Sequence, residues 1–387
     1  MKDNITKFNH CYDCGLCSIV CPKGIISIIR NRDGFFSPVI VDSSKCIECG
    51  LCLNVCAFNN KLEKIKDRRI GYYAAWSNDN KVRLSSSSGG IAYELSCQAL
   101  KQGYKVIAVK YYEEKGTAIH YIANTEDDLI KSQGSKYIQS LAHLAFEQIN
   151  KEDKYLVFGT PCQIHSIKNF IQMRHIEDNF ILVDFFCHGV PSYNMLDKYL
   201  AEKKIITGST QSVIWRDKSN GGWHNSWNMI VTGNKGESRC SIKERDLFYK
   251  FFLKNRCLNE ACYTSCKYKL ESSAADIRLG DLWGTKYESN EEGVSGVLVL
   301  TTKGQEVIVS LENCAFSKES KNVVLEAQMK KPAKKPASYN YTKITLITEK
   351  TLAAIDKNAS RREFWFDWLP SAMRYYPKRA LQKIKGK

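Results

Sequence analysis

The sequence predicts an α/β (α+β) body of ordinary globular composition, preceded by a small cysteine-rich module and followed by a basic extension. Three observations carry this: short apolar runs alternating with helical stretches over residues 66–328, two matching cysteine runs within residues 1–65, and a charge excess concentrated after residue 318. The chain has 387 residues, 43% hydrophobic and 25% charged, which suits several folded modules with a sizeable core. Wholesale disorder and a multi-span membrane protein are both excluded.

The N-terminal module comes first. Its run Cys11-x-x-Cys14-x-x-Cys17-x-x-x-Cys21-Pro22 recurs as Cys46-x-x-Cys49-x-x-Cys52-x-x-x-Cys56-Ala57. Three thiolates at intervals of three wrap one corner of a cube-shaped cluster, and in two-cluster ferredoxins the fourth ligand comes from the other run. The spacing therefore assigns Cys11, Cys14, Cys17 and Cys56 to one 4Fe-4S cluster, and Cys46, Cys49, Cys52 and Cys21 to a second. Zinc wants four ligands as two pairs, not two complete sets of four. Gly15 and Gly50 follow the second cysteine of each run, where a missing Cβ lets backbone amides approach the cluster. Between the runs, Asp33-Gly34 lies between Ile28-Ile29 and Phe35-Phe36. That is a hairpin signal, expected to lengthen the module without touching a ligand.

The N-terminal segment lacks the apolar run of a secretory signal, and no stretch approaches 18 apolar residues, so a cytoplasmic location is expected. In that reducing compartment, metal or redox chemistry explains sixteen cysteines better than disulfides do.

In the body, Val106-Ile107-Ala108-Val109, Tyr155-Leu156-Val157-Phe158 and Phe180-Ile181-Leu182-Val183 read as buried strands. Ser86-Ser87-Ser88-Gly89-Gly90 opens a helix with Ile91, Leu95 and Ala99 on its apolar face. Hydroxyls and glycines at a helix N-terminus suit a phosphate, and equally a plain serine cap. Gly134-Ser135-Lys136-Tyr137 sets a cation beside an aromatic ring. Cys162 and Cys187 each follow a predicted strand, and in an open parallel sheet such turns converge at one edge. With Cys262 and Cys266 they form a candidate third cluster site, leaving Cys257 as the spare and Cys97, Cys240 and Cys314 as core residues. Asp281, ending the strand Asp276-Ile277-Arg278-Leu279-Gly280-Asp281, suits orienting a ribityl chain or an arginine, or capping a turn.

The ordered set of Ser86-Ser87-Ser88-Gly89-Gly90, Gly134 to Ser140, Gly159-Thr160-Pro161-Cys162-Gln163, Cys187-His188-Gly189-Val190-Pro191-Ser192 and Asp276 to Gly284 resembles the coenzyme F420 hydrogenase/dehydrogenase beta-subunit family. Members of that family pair iron–sulfur clusters with FAD. The resemblance implies a flavin-binding body with a bacterial-ferredoxin-like domain before it. It also implies that Ser87, Ser88, Gly89, Gly90, Ser135, Lys136, Tyr137 and Asp281 surround FAD, and that Cys162, Cys187, Cys262 and Cys266 hold a cluster near the flavin. Three residues separate Cys262 from Cys266 where two are expected, so Cys257 stands as a substitute ligand. The implied function is an iron–sulfur flavoprotein oxidoreductase passing electrons between clusters and FAD, to or from an organic substrate or a deazaflavin coenzyme. Ferredoxin or another redox protein would be its partner. A non-enzymatic ferredoxin-type electron carrier or adaptor is the alternative. His188 reads either as a core histidine or as the candidate proton donor at the flavin edge, and Trp223 and His224 border the substrate side.

The extension, residues 329–387, closes the chain. Residues 318–387 hold 17 Lys/Arg against six Asp/Glu, or +11 of the net +16, so the remaining 317 residues carry only +5. Charge confined to one end does not make a nucleic-acid groove. Residues 329–343, with five lysines and two prolines, read as a linker. Phe364-Trp365-Phe366-Asp367-Trp368-Leu369-Pro370, followed by Arg374-Tyr375-Tyr376-Pro377-Lys378-Arg379, mixes aromatics with cations. Such a segment is expected to dock on the body or a partner subunit, or to lie peripherally on the inner membrane face.

Overall fold

The structure, a computed structural model, describes residues 4–65 and 68–371; the cations from Arg374 onward lie outside the described residues. Strands β1 (Ile26–Arg30) and β2 (Phe36–Ile40) form the expected antiparallel hairpin. The Asn31 side-chain oxygen accepts from the amides of Asp33 and Phe35 at 3.0 and 3.1 Å, and Gly34 takes φ +84°. This hairpin is more than a spacer. The amide of Tyr193 donates to Gly34 (3.0 Å), Ser192 Oγ donates to the Asp33 carbonyl (2.5 Å), and Arg30 pairs with Asp197 at 2.6 Å. A Cβ on Gly34 would lie 2.4 Å from Ser192 Oγ, so glycine permits the close approach that fastens module to body.

The body carries β3 (Arg68–Ser77), β4 (Tyr104–Tyr112), β5 (Thr117–Ala123), β6 (Ser140–Leu141), β7 (Lys154–Phe158), β8 (Phe180–Phe185), β9 (Thr210–Ile214), β10 (Asn228–Gly233), β11 (Gly236–Ser241), β12 (Ile277–Asp281), β13 (Ser295–Thr301) and β14 (Cys314–Lys318). Nine of them form one mixed sheet in the order β14-β3-β13-β12-β8-β7-β4-β5-β6. Its centre, β12-β8-β7-β4, is parallel, and the flanks are mostly antiparallel. Strands β7 and β8 are covered on both faces, which is why they read as unbroken apolar runs. The helix Ile91–Lys101 buries Ile91, Leu95 and Ala99 against Val106, Leu156 and Val183. On the other face, the helix Pro161–Met173 buries Ile164, Ile167 and Phe170 against Tyr155, Val157 and Leu182. Leu16, Val55 and Cys17 of the N-terminal module join that second layer, so module and body share one core. Each such buried Leu, Ile, Val or Phe side chain is worth about 1.5–3 kcal/mol.

The extension is docked as well. The helix Leu352–Glu363 buries Leu352 and Ile355 in the cluster that holds Phe248, Phe251 and Phe252. The fully buried Arg256 donates to Asp356 (2.7 Å), Ser360 (2.9 Å) and Glu363 (2.5 and 2.7 Å). The segment read as a linker runs into the helix Tyr339–Thr345, and three of its lysines are paired: Lys334 with Asp367, Lys335 with Glu260 and Lys343 with Asp33. Among the described residues, no helix is long and apolar enough to cross a membrane.

Candidate redox centres

Both cysteine runs fold alike. The residue before the second cysteine is left-handed (Asp13 φ +54°, Glu48 φ +56°), and so is the glycine after it (Gly15 φ +81°, Gly50 φ +72°), which caps a one-turn helix, Leu16–Ile19 or Leu51–Asn54. Cys11, Cys14, Cys17 and Cys56 line a cavity of about 460 Å³, whereas Cys21, Cys46, Cys49 and Cys52 line a separate small cleft. In each place the fourth thiol belongs to the opposite run. Among the described residues, no three His, Cys, Asp or Glu side chains gather closely enough to hold a single metal ion. A four-iron cube, by contrast, takes one thiolate at each of four corners, and the donor sets lining the two cavities suit it. Burial lifts the Cys14 thiol to about 11 and the Cys17 thiol well above its ordinary value. Binding iron means displacing those protons.

The first set faces the body. Ser166, on the helix Pro161–Met173, accepts from Cys14 Sγ (3.3 Å) and from the amide of Ala57 (3.1 Å). Asp13 accepts from Cys11 (3.1 Å) and from Asn259 (2.6 Å), while its carbonyl receives Gln139 (2.8 Å). The Lys267 ammonium donates to the carbonyls of Ala57, Phe58 and Asn60 at 2.7–3.1 Å. Asn31, Asp33, Phe35, Ser37 and Pro38, from and beside the hairpin, line the same cavity, contrary to the expectation that the insert stays clear of the ligands. The second set faces outward, with Cys49 exposed.

Cys162 and Cys187 stand at the carboxyl ends of β7 and β8, at one edge of the parallel strands. The loop after Cys187 pairs with residues 257–259: Ser192 N donates to the Cys257 carbonyl and Asn259 N to that of Val190, both at 2.8 Å. That pairing brings up Cys262 and Cys266. Cys187 and Cys262 lie within electrostatic range of Cys162, and Cys266 within that of both Cys187 and Cys262. Cys162 also feels Cys14, so this group adjoins the first set. Cys257 is buried in the apolar cluster with Leu258 and Tyr263. Its thiol is lifted to about 12 by burial, with only Arg256 acting on it as a charge. Between the two thiol groups, Tyr12 meets Tyr268 edge-on at 5.7 Å, and Tyr268 OH lies 2.7 Å from His165 Nδ1.

Ser87, Tyr137 and Asp281 meet at a residue that the sequence reading missed. The buried Arg216 contacts the Ser87 carbonyl (3.2 Å), Tyr137 OH (3.1 Å) and Asp281 (3.2 Å), and lies over the rings of Trp227 (4.6 Å) and Trp283 (5.2 Å). Of the roles offered for Asp281, orienting an arginine is the one observed; it also accepts from Trp223 Nε1 at 2.9 Å. Ser135 donates to Ser87 Oγ through its amide and its hydroxyl, at 2.8 and 2.9 Å.

The phosphate cradle fares differently. Gly90, at φ +89°, is the helix cap in place of a serine. The Gly89 amide is committed to Ser295 Oγ (3.0 Å), and Ser88 Oγ donates to Val294 (2.7 Å). Lys136 folds back onto the carbonyls of Lys131, Ser132, Gln133 and Gly134, with burial pushing its ammonium down to about 7. The rings of Tyr137, Trp227 and Trp283 lie half-buried around Arg216, whereas Gly89 and Lys136 do not fit a phosphate.

A series of rings joins these sites: His188 to Phe252 (4.8 Å), Phe252 to Tyr137 (5.3 Å), Tyr137 to Trp227 (5.4 Å, stacked), Trp227 to Trp283 (6.3 Å), and Trp283 to His224 (5.4 Å). The imidazoles at its two ends each bury an Nε2 without a hydrogen-bond partner, and burial lowers the pKa of His188. Trp223 and Trp227, four positions apart, were the available sequence signal for this part of the site.

Comparison with known proteins matches residues 10–60 to a 4Fe-4S dicluster domain. Residues 72–146 match the N-terminal part, and residues 152–321 the C-terminal part, of the coenzyme F420 hydrogenase/dehydrogenase beta subunit. An uncharacterized protein of Methanocaldococcus jannaschii is 25% identical over 247 residues, 53% of this chain and 66% of that protein. The coenzyme F420-dependent sulfite reductase of the same organism is 26% identical over 162 residues, 41% of this chain and 24% of that protein. A chain of the F420-reducing NiFe hydrogenase complex from Methanosarcina barkeri superposes with a TM-score of 0.46 at 18% identity, covering 79% of this chain and 97% of that one.

Proposed function

We propose that this chain, which belongs to the coenzyme F420 hydrogenase/dehydrogenase beta-subunit family and carries a 4Fe-4S dicluster domain, is an iron–sulfur flavoprotein oxidoreductase. The observation that carries the reading is the succession of thiol groups from an outer set with Cys49 exposed, through an inner set packed on the body, to a third group at the sheet edge. Clusters exchange single electrons and a flavin turns them into a two-electron transfer, while the protein supplies distance and electrostatics. Cys21, Cys46, Cys49 and Cys52 would hold the outer cluster, Cys11, Cys14, Cys17 and Cys56 the inner one, and Cys162, Cys187, Cys262 and Cys266 a third.

Ser87, Ser135, Tyr137 and Asp281, gathered by Arg216, would bind the flavin ring end of FAD against Trp227 and Trp283. His188 would hold a proton at the edge nearest the third group. Ferredoxin or another redox protein would exchange electrons at the exposed Cys49, in a module that also exposes Ile29, Val39, Val41 and Ile47. A deazaflavin coenzyme is the first organic substrate to assay, because one relative is named for its dependence on F420.

Anaerobic purification followed by iron and flavin analysis tests this. The expected result is about eight to twelve irons per chain, four for each cluster, with one bound or reconstitutable flavin. Iron without flavin would favour the ferredoxin-type carrier, a reading that the internal commitments of Gly89 and Lys136 support.

A further inference from the structure

We propose that the segment Phe364–Trp368 is an interfacial anchor that seats the protein on an anionic lipid surface. The helix Leu352–Glu363 is fixed to the body through Arg256 and then continues as a π-helical turn. On that turn the body's cover ends: Phe364 is 46% exposed, Trp365 53%, Phe366 69% and Trp368 55%. Three consecutive helical residues point in three directions, so the aromatic surface runs around the turn instead of lying on one side. A folded protein partner covers one side of a helix. A bilayer interface accepts a broad band of rings, and it is where indole rings settle.

The turn is also held rigid. Asp367 accepts from the amide of Ala337 (2.8 Å) and pairs with Lys334 (3.4 Å), and Phe364 stacks on Trp368 at 5.2 Å. Charge selects the lipid. Arg361 and Arg362 are exposed one turn before the aromatics, and residues 368–387 hold six Lys/Arg and no Asp/Glu. Cations next to an aromatic insertion point favour acidic headgroups.

Flotation of the full-length protein, kept anaerobic, with phosphatidylcholine vesicles or with vesicles containing one-third phosphatidylglycerol is the test. Binding to the anionic vesicles about tenfold above the neutral ones, weakened by added salt, is expected, together with a blue shift of tryptophan emission. The double variant Trp365→Ser, Trp368→Ser should lose most of that binding while its iron content and unfolding midpoint stay at wild-type values. Three results would each overturn the anchor: equal binding to both vesicle types, full binding by the double variant, or a discrete protein dimer that buries the same tryptophans without lipid.

Discussion

The two cysteine runs share spacing, dihedral angles and one-turn helices, yet one closes against the body and the other at the surface. The shared cysteine spacing does not make that difference. Ser166, Gln139, Asn259 and Lys267, none of them in either run, all reach the inner set. The outer set keeps Cys49 exposed. Local spacing thus dictates how a run wraps its cluster, and tertiary packing dictates the dielectric and proton supply around it. The inner set, packed against the body, and the outer one, with Cys49 exposed, form a pair of unequal access to a partner.

The sharpest way to break the comparison is to cross the runs. Cys56→Ser, though it lies in the second run, is expected to empty the inner set and spare the outer, and Cys21→Ser to do the reverse. Each should remove about four irons per chain, read by iron analysis and by low-temperature EPR of the reduced protein. Loss of the outer signal on changing Cys56 would show that each run keeps its own fourth cysteine.

Much of this was legible because it is local. Cysteine spacing, the hairpin at Asp33-Gly34 and the strands at Val106, Tyr155 and Phe180 depend on neighbours in sequence, and the structure contains all of them. The edge that brings Cys162 towards Cys187 was legible from a topological rule. The failures are long-range. Arg216 meets Ser87 across 129 positions and Asp281 across 65, and no local pattern announces such a meeting. Lys136 looked like a cofactor contact because its type and setting suited one; its ammonium instead bonds the carbonyls of residues 131–134, a competition between backbone and ligand that composition does not reveal. Docking of the extension on the body was among the expectations from its aromatics, but the residues that carry it, Leu352 and Ile355, lie upstream of that aromatic segment.

Protonation sharpens the contrast between interior and surface. His120 and His165 are both buried, and desolvation pushes each imidazole down to about 4. The folded chain therefore binds fewer protons than the unfolded one between that value and the ordinary histidine value near 6.5. Their stabilising contribution is complete above about pH 6.5 and is lost as pH falls towards 4, at roughly 1.4 kcal/mol per pH unit for each group. Urea titrations from pH 7.5 to 4.5 should show the wild type losing more stability than His120→Gln over this window. Parallel curves would refute the assignment.

Glycine substitution asks whether the two runs differ in tightness as well as in exposure. Gly15 and Gly50 are both left-handed, so alanine costs each about 1 kcal/mol in backbone strain. A Cβ on Gly15 would also meet His143 Nδ1 at 2.8 Å, whereas one on Gly50 finds nothing within 4 Å. Gly15→Ala is accordingly expected to cost about 2 kcal/mol or more and Gly50→Ala the strain alone, as measured by urea unfolding. Adding His143→Ala should bring the first down to the second.

The smallest expected effect isolates the proton environment of the inner set. Ser166 Oγ is buried and accepts from both Cys14 and the Ala57 amide, so Ser166→Ala removes one weak sulfur contact and leaves one buried amide without a partner. A stability loss of about 1 kcal/mol is expected, with iron content unchanged. The EPR signal of the inner cluster should shift, because once iron replaces the Cys14 proton the serine hydroxyl is free to turn and donate to the sulfur. The outer signal should stay where it is. A shift of both signals would mean that Ser166 acts by moving the whole module, and the inner–outer distinction would then rest on exposure alone.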